Sequence, residues 1–191
     1  MKYWMLALCF LCAPKLLAGH YEVNPDLSIL NFATTKKQYV IEPATITALT
    51  GSLDKTGKFV ANIDLKHLDT INPVRDNSLR TLFFDYDKYP KIEVAATISP
   101  DSLPKTGEIK VLKVAATLTI WNTSKPLELE LLAANTGRSL MVSSRKAIVI
   151  SAADYGIPAE NLNKMAGTVG GIAIATSAPV NFQLVLDLKA D

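Results

Sequence analysis

Apolar and polar side chains alternate through most of the chain beyond residue 20. Phe59, Ala61, Ile63 and Leu65 share one parity, with Lys58, Asn62 and Asp64 opposite, although Val60 breaks the polar side. Ile92, Val94, Ala96 and Ile98 repeat the pattern, as do Leu112, Val114, Ala116, Leu118 and Ile120. Leu127, Leu129 and Leu131 alternate with Glu128 and Glu130, and Val180, Phe182, Leu184, Leu186 and Leu188 follow the same rule. Successive side chains of a strand point to opposite faces, so this period predicts strands with one buried face. Turn signals separate the runs: Asp54 to Gly57, Pro104 to Gly107 and Asn135 to Gly137. About eight to ten strands are expected, which suits an antiparallel barrel or sandwich. Two stretches break the rhythm, Asn72 to Lys88 and Pro158 to Gly171. Each has room for a short helix, over Pro73 to Leu82 and around Asn161 to Met165.

The first residues follow another rule. Lys2 precedes the eleven uncharged residues Tyr3 to Ala13, then come Pro14 and Lys15, and the small residues Ala18 and Gly19 follow. A basic start, an apolar stretch and a small-residue exit predict a secretory signal over residues 1–18, leaving one domain over 19–191. The apolar stretch falls short of the roughly 20 residues that span a bilayer. Removal of the leader changes the composition in two ways. The 20 basic residues lose Lys2 and Lys15 and then balance the 18 acidic ones. A neutral domain argues against nucleic acid or an anionic membrane surface as the target. Both cysteines, Cys9 and Cys12, leave with the leader, so the domain is expected to have neither disulfide nor thiol chemistry, and no lipid anchor.

Candidate chemistry is sparse. His20 and His67 are the only histidines of the 191-residue chain. A nucleophilic triad needs a histidine between a nucleophile and an acid, and His67 in Lys66-His67-Leu68-Asp69 reads as an edge residue. No metal site and no cofactor are expected. Gly167, Gly170 and Gly171 precede a strand-like run, not the helix a phosphate loop requires. Asp85 and Asp87 read as solvated turn acids. The densest polar group is Asp69-Thr70, Arg75-Asp76, Arg80, Asp85 and Lys88. Arg75, Asp76 and Arg80 either pair to pin a turn onto the sheet or face a cavity mouth, where guanidinium would meet an anionic head group.

Asp69-Thr70, Arg75-Asp76-Asn77-Ser78-Leu79-Arg80 and Phe83-Phe84-Asp85-Tyr86-Asp87-Lys88-Tyr89-Pro90 resemble the signature of the YceI-like family. Tyr21 to Asn24, Ser28 to Phe32, Leu118-Thr119-Ile120 with Lys125-Pro126, and Asp154-Tyr155-Gly156-Ile157 resemble further family segments in the right order. The chain departs from the pattern where a glycine and two aromatics are usual, at Ala44, Ile46 and Leu49, and where an arginine is common, at Ala152. The resemblance implies an eight-stranded, lipocalin-like antiparallel barrel with one or two short helices. It also implies an exported protein that binds polyisoprenoid, quinone-like or fatty-acyl chains, often as a homodimer, with the periplasm as the expected compartment.

The resulting expectation is a non-enzymatic carrier or sequestering protein. Phe32, Phe59, Ile63, Leu79, Leu82, Phe83, Leu118 and Ile120 are the expected apolar lining, with Arg75, Asp76 and Arg80 as head-group or structural contacts. Two alternatives stay open at this point. One is a protein-interaction module whose barrel is filled by side chains. The other is a lipid-acting enzyme with Asp76 and His67 deep inside.

Overall fold

The computed structural model describes residues 19–190, so the expected leader and its cysteines lie outside the described residues. The strands are β1 (Gly19–Val23), β2 (Ile29–Lys36), β3 (Val40–Ile46), β4 (Thr50–Leu53), β5 (Lys58–Asp64), β6 (Leu68–Asp69), β7 (Lys91–Thr97), β8 (Ile109–Ile120), β9 (Thr123–Asn135), β10 (Ser139–Ser144), β11 (Ile148–Ser151) and β12 (Ser177–Ala190). Two α-helices, α1 (Pro73–Ser78) and α2 (Ala159–Gly167), fall in the two stretches where the alternation breaks.

Every strand pairing is antiparallel, and the ring runs β1-β4-β5-β7-β8-β9-β10-β12 before returning to β1. It closes through Gly19 opposite Ala190 to Val23 opposite Leu186. The result is an eight-stranded up-and-down barrel, which leaves no edge in the ring. β12 outruns the ring. Its C-terminal half lies between β10 and β1, and its N-terminal half between β11 and β2. The β2–β3 hairpin and β6 extend the wall on that side.

The bends between strand halves have local causes. Between β1 and β2 the Asn24 side chain accepts the amides of Asp26 and Leu27, which turns the chain. Between β3 and β4 Ala48 takes a φ of 53°, and Leu49 is driven into the core. The β4–β5 turn matches its signal: the Asp54 carboxylate accepts the amides of Thr56 and Lys58. Gly57 has φ 87°, and a Cβ there would strike the Ile98 carbonyl.

Asp187 staples the closing seam. Asn24 Nδ2 and Ser139 Oγ each donate to its carboxylate at 2.8 Å, tying β12 to both neighbouring strands. Those two bonds, Asn24 first, hold the acid below its ordinary value of 3.8. A folded value below the unfolded one adds stability that is complete above pH 3.8 and fades as pH falls through the folded value. Asp54, Asp64, Glu108 and Glu130 are held low as well. The urea midpoint is therefore expected to drop below about pH 4. Asp187→Asn should weaken that drop, and an unchanged acid limb would remove Asp187 from the account.

Helical segments cover the end of the barrel beside β6. Asn72 caps α1 by accepting the amides of Val74 and Arg75, with Pro73 in the first turn. The chain then widens into a π-type coil over Leu79–Phe83, closed by the Phe84 amide on the Leu79 carbonyl at 2.9 Å. α2 is fastened to this coil by Asn161 Nδ2 on the Phe83 carbonyl, 3.0 Å. Trp121 Nε1 donates to the Phe84 carbonyl at 2.7 Å, and its ring lies 4.4 Å from that of Tyr89.

Candidate ligand cavity

Strand parity sends the alternating apolar runs inward, and they enclose a cavity of about 390 Å³. That is the size class of small-molecule pockets, roughly 300–1,000 Å³. Phe32, Phe59, Val94, Ala96, Leu112 and Phe182 line it and are only half-buried, because space lies in front of them where a packed core would place side chains. Deeper contacts come from Leu49, Leu118, Ile120 and Leu140, all buried.

Seven of the eight expected lining residues reach the wall: Phe32, Phe59, Ile63, Leu79, Phe83, Leu118 and Ile120. Leu82 does not; it packs against the core from outside the wall. Phe84, which the sequence reading left out, takes part instead. The π-type coil is the reason. Its extra residue per turn brings Leu79, Phe83 and Phe84 to the cavity, with the two phenyl rings edge-on at 4.8 Å. An α-helical reading of that stretch cannot anticipate this phase.

The three polar candidates separate. Arg75 faces the cavity and donates from Nη2 to Glu42 Oε1 at 2.7 Å. Asp76 is buried and turns away: its Oδ1 accepts the Thr70 amide at 2.8 Å and the Thr70 hydroxyl at 2.6 Å. Arg80 donates to the Leu68 carbonyl at 3.3 Å. Asp76 and Arg80 thus fix the α1 region to β6, and Arg75 is left at the opening.

Two charged wall residues were missed, Lys36 and Glu42. Lys36 Nζ lies 2.5 Å from Glu42 Oε1, which makes Glu42 the shared partner of two cations. All three side chains are largely screened from bulk water, with 27%, 17% and 25% exposure for Lys36, Glu42 and Arg75. The signal was present in the sequence. Continuing the parity of Leu30 and Phe32 through Thr34 leads to Lys36, and stepping back from Ile46 and Ala44 leads to Glu42. The cavity is therefore apolar along its length and charged at one mouth, between the β2–β3 hairpin and α1.

His67 is elsewhere. It borders a shallow outer hollow with Asn62, Asp64, Lys66 and Lys91. Neither His67 nor Asp76 is part of the cavity wall, so the pair required for an enzyme inside the barrel is not assembled there. Asp85 carries an ion pair with Lys88 at 2.9 Å. Among the described residues no three His, Cys, Asp or Glu side chains converge as metal ligands.

The family model for the YceI-like domain matches residues 21–186. The chain belongs to the YceI-like family. No curated protein matches it in sequence. Among solved structures it is similar to a polyisoprenoid-binding domain from Saccharophagus degradans implicated in plant cell wall breakdown, at 25% identity and TM-score 0.83, over 91% of this chain and 99% of that one. It is similar in fold to BcnA of Burkholderia cenocepacia, at 14% identity and TM-score 0.62, over 85% and 98% of the two chains. A YceI protein of Campylobacter jejuni gives 18% identity and TM-score 0.51, over 78% and 85%. Three of the four departures from the family pattern fall on this cavity: Ile46, Leu49 and Ala152 line it, and Ala44 does not.

Proposed function

We propose that this YceI-like protein is a non-enzymatic carrier that holds one long apolar chain in its barrel and the chain's polar head at the Lys36–Glu42–Arg75 mouth. The single observation that carries the reading is the continuous apolar cavity with charge at one end only. A barrel filled by its own side chains, as an interaction module would have, leaves no such space. The polyisoprenoid-binding domain similar to this chain over nearly its whole length supports the same class of ligand. Each buried methylene contributes about 0.8 kcal/mol, so affinity grows with chain length and discriminates weakly between isoprenoid, quinone-like and fatty-acyl tails. Discrimination falls to the mouth, where two cations share one carboxylate and favour an anionic head. Export to the periplasm belongs to the proposal. The signal-like residues 1–18 support it, and N-terminal sequencing of the secreted protein should begin at Gly19 or His20. Light scattering on that protein reads whether it forms the homodimer that the family likeness implies.

The decisive experiment is extraction of the purified protein and identification of the released lipid by mass spectrometry. Delipidated protein should then take up prenyl or fatty-acyl fluorescent probes, and failure with both classes would sink the proposal. The head-group assignment has its own test. Glu42→Gln frees both cations and should raise affinity for a fatty-acid probe about three- to tenfold, equivalent to roughly 0.7–1.4 kcal/mol. Arg75→Ala should lower it by a similar factor. A fatty alcohol of equal length should respond to neither, and equal responses of acid and alcohol would place the head elsewhere.

A further inference from the structure

The charged mouth is ringed by exposed apolar side chains. Tyr39 and Ile41 on the β2–β3 hairpin are 77% and 68% exposed. Ile71 and Val74, at the start of α1, are 86% and 76% exposed, and Val169 beyond α2 is 45% exposed. Single exposed apolar residues are ordinary on a protein surface. These come from three separate segments, and each segment also supplies cavity wall: Lys36 and Glu42 from the first, Asn72 and Arg75 from the second, Thr168 and Ile174 from the third. The hairpin and the third segment are joined directly, by the Lys37 amide on the Ala173 carbonyl and the Ala175 amide on the Thr35 carbonyl. The apolar ring is therefore the rim of the cavity opening.

Ile71 is the most telling member. Its φ is 63°, a left-handed conformation that a β-branched residue adopts only at a cost. Asp69 holds its amide at 2.6 Å, and the Asp76–Thr70 clamp and the Asn72 cap fix the residues around it. Asparagine or glycine would suit that backbone better. An isoleucine there gains nothing by burial, and what the fold achieves is to project its side chain from the rim.

We infer that this rim docks on a lipid bilayer, so that the cargo chain passes between membrane and barrel without crossing water. The inference rests on the carrier reading and adds the place where the carrier loads. Tyrosine at a water–lipid boundary and aliphatic side chains just below it are the usual chemistry of interfacial insertion. The balanced charge of residues 19–191 gives the domain as a whole no pull toward an anionic surface, but the rim departs from that balance locally, with Lys36, Lys37 and Arg75 against Glu42 and Asp69. That local positive excess favours a bilayer containing anionic lipid.

The test is vesicle flotation of the purified protein with phosphatidylethanolamine–phosphatidylglycerol (3:1) and with phosphatidylcholine alone. Native protein should float with the anionic vesicles and less with the neutral ones. The triple variant Tyr39→Ser, Ile41→Thr, Ile71→Asn should reduce the bound fraction about tenfold. None of the three residues lines the cavity, so uptake of a dispersed fatty-acyl probe should stay within about twofold. Ile71→Asn relieves the left-handed strain, so its Tm should rise while its vesicle binding falls, which separates lost docking from lost folding. Native protein that remains with the unbound fraction in both mixtures would overturn the inference and leave a protein receptor as the rim's occupant. A triple variant that floats as well as native protein would overturn it equally. Native protein that floats but takes up no probe would count against the carrier reading and leave the docking surface standing.

Discussion

Ala96→Trp should abolish uptake of long-chain probes while the barrel remains folded. Ala96 points inward on β7, faces Phe59 on β5 and Ala116 on β8 across the sheet, and is only half-buried despite its direction. All three residues line the cavity. An indole placed there extends into open space. Displacing even four methylenes of a bound chain forfeits about 3 kcal/mol, more than a hundredfold in affinity. In a packed core the same change would overpack the site and cost about 1–3 kcal/mol or more of stability. With a cavity in front of Ala96 the change in stability should stay within about 1 kcal/mol. Probe titration and chemical denaturation on one preparation read both quantities. A variant that binds normally, or one that loses its fold along with its binding, would contradict a hollow barrel.

Asp76→Ala should produce the largest loss of stability expected of any polar substitution in the α1 region. Asp76 is buried, and one of its oxygens accepts both the amide and the hydroxyl of Thr70. Removing it strands a buried amide and deletes charge-assisted bonds worth about 1.5–3 kcal/mol each in favourable cases. A total of about 2–4 kcal/mol is expected, which lowers Tm by roughly 5–15 °C in a domain of this size. Asp76→Asn keeps an acceptor in place and should lose less than half as much. The consequence reaches the site, because the clamp orients α1 and α1 carries Arg75 to Glu42. Ligand release from Asp76→Ala should therefore be faster even well below its melting point. An alanine variant as stable as the native protein would show that Asn72 and Pro73 suffice to hold α1.

The strands were legible because their parity is a local property of the chain. A residue two positions on returns to the same face, so Phe59 to Ile63 and Leu112 to Ile120 could be assigned inward without knowing their partners. The helical interruptions were legible as breaks in that parity, with Asn72 and Pro73 marking where α1 begins. Rules for α-helices do not extend to the π-type coil. An α-helical phase puts Leu82 on the wall, and the π-type coil puts Phe84 there instead.

Charge at the mouth was harder to see. Lys36 and Glu42 lie on parities the sequence already specified, but a charged residue at the end of a strand ordinarily turns to water. Only the β2–β3 hairpin, folded against α1, shows that these two side chains share a boundary with Arg75. Arg75, Asp76 and Arg80 look alike in the sequence, one short cluster of opposite charges. Their roles diverge because three different neighbours meet them: Glu42 from β3, Thr70 beside β6 and the Leu68 carbonyl.

The sequence by itself determined that the chain is a β domain, which strand side chains share a face, and to which family it belongs. Parity and short motifs are properties of consecutive residues, so they need no third dimension. The tertiary structure decided whether those side chains meet. A period of two is the same for a packed core and for a hollow wall, and the difference lies in the distance across the barrel. Eight strands closing through β1 and β12 set that distance and leave the cavity.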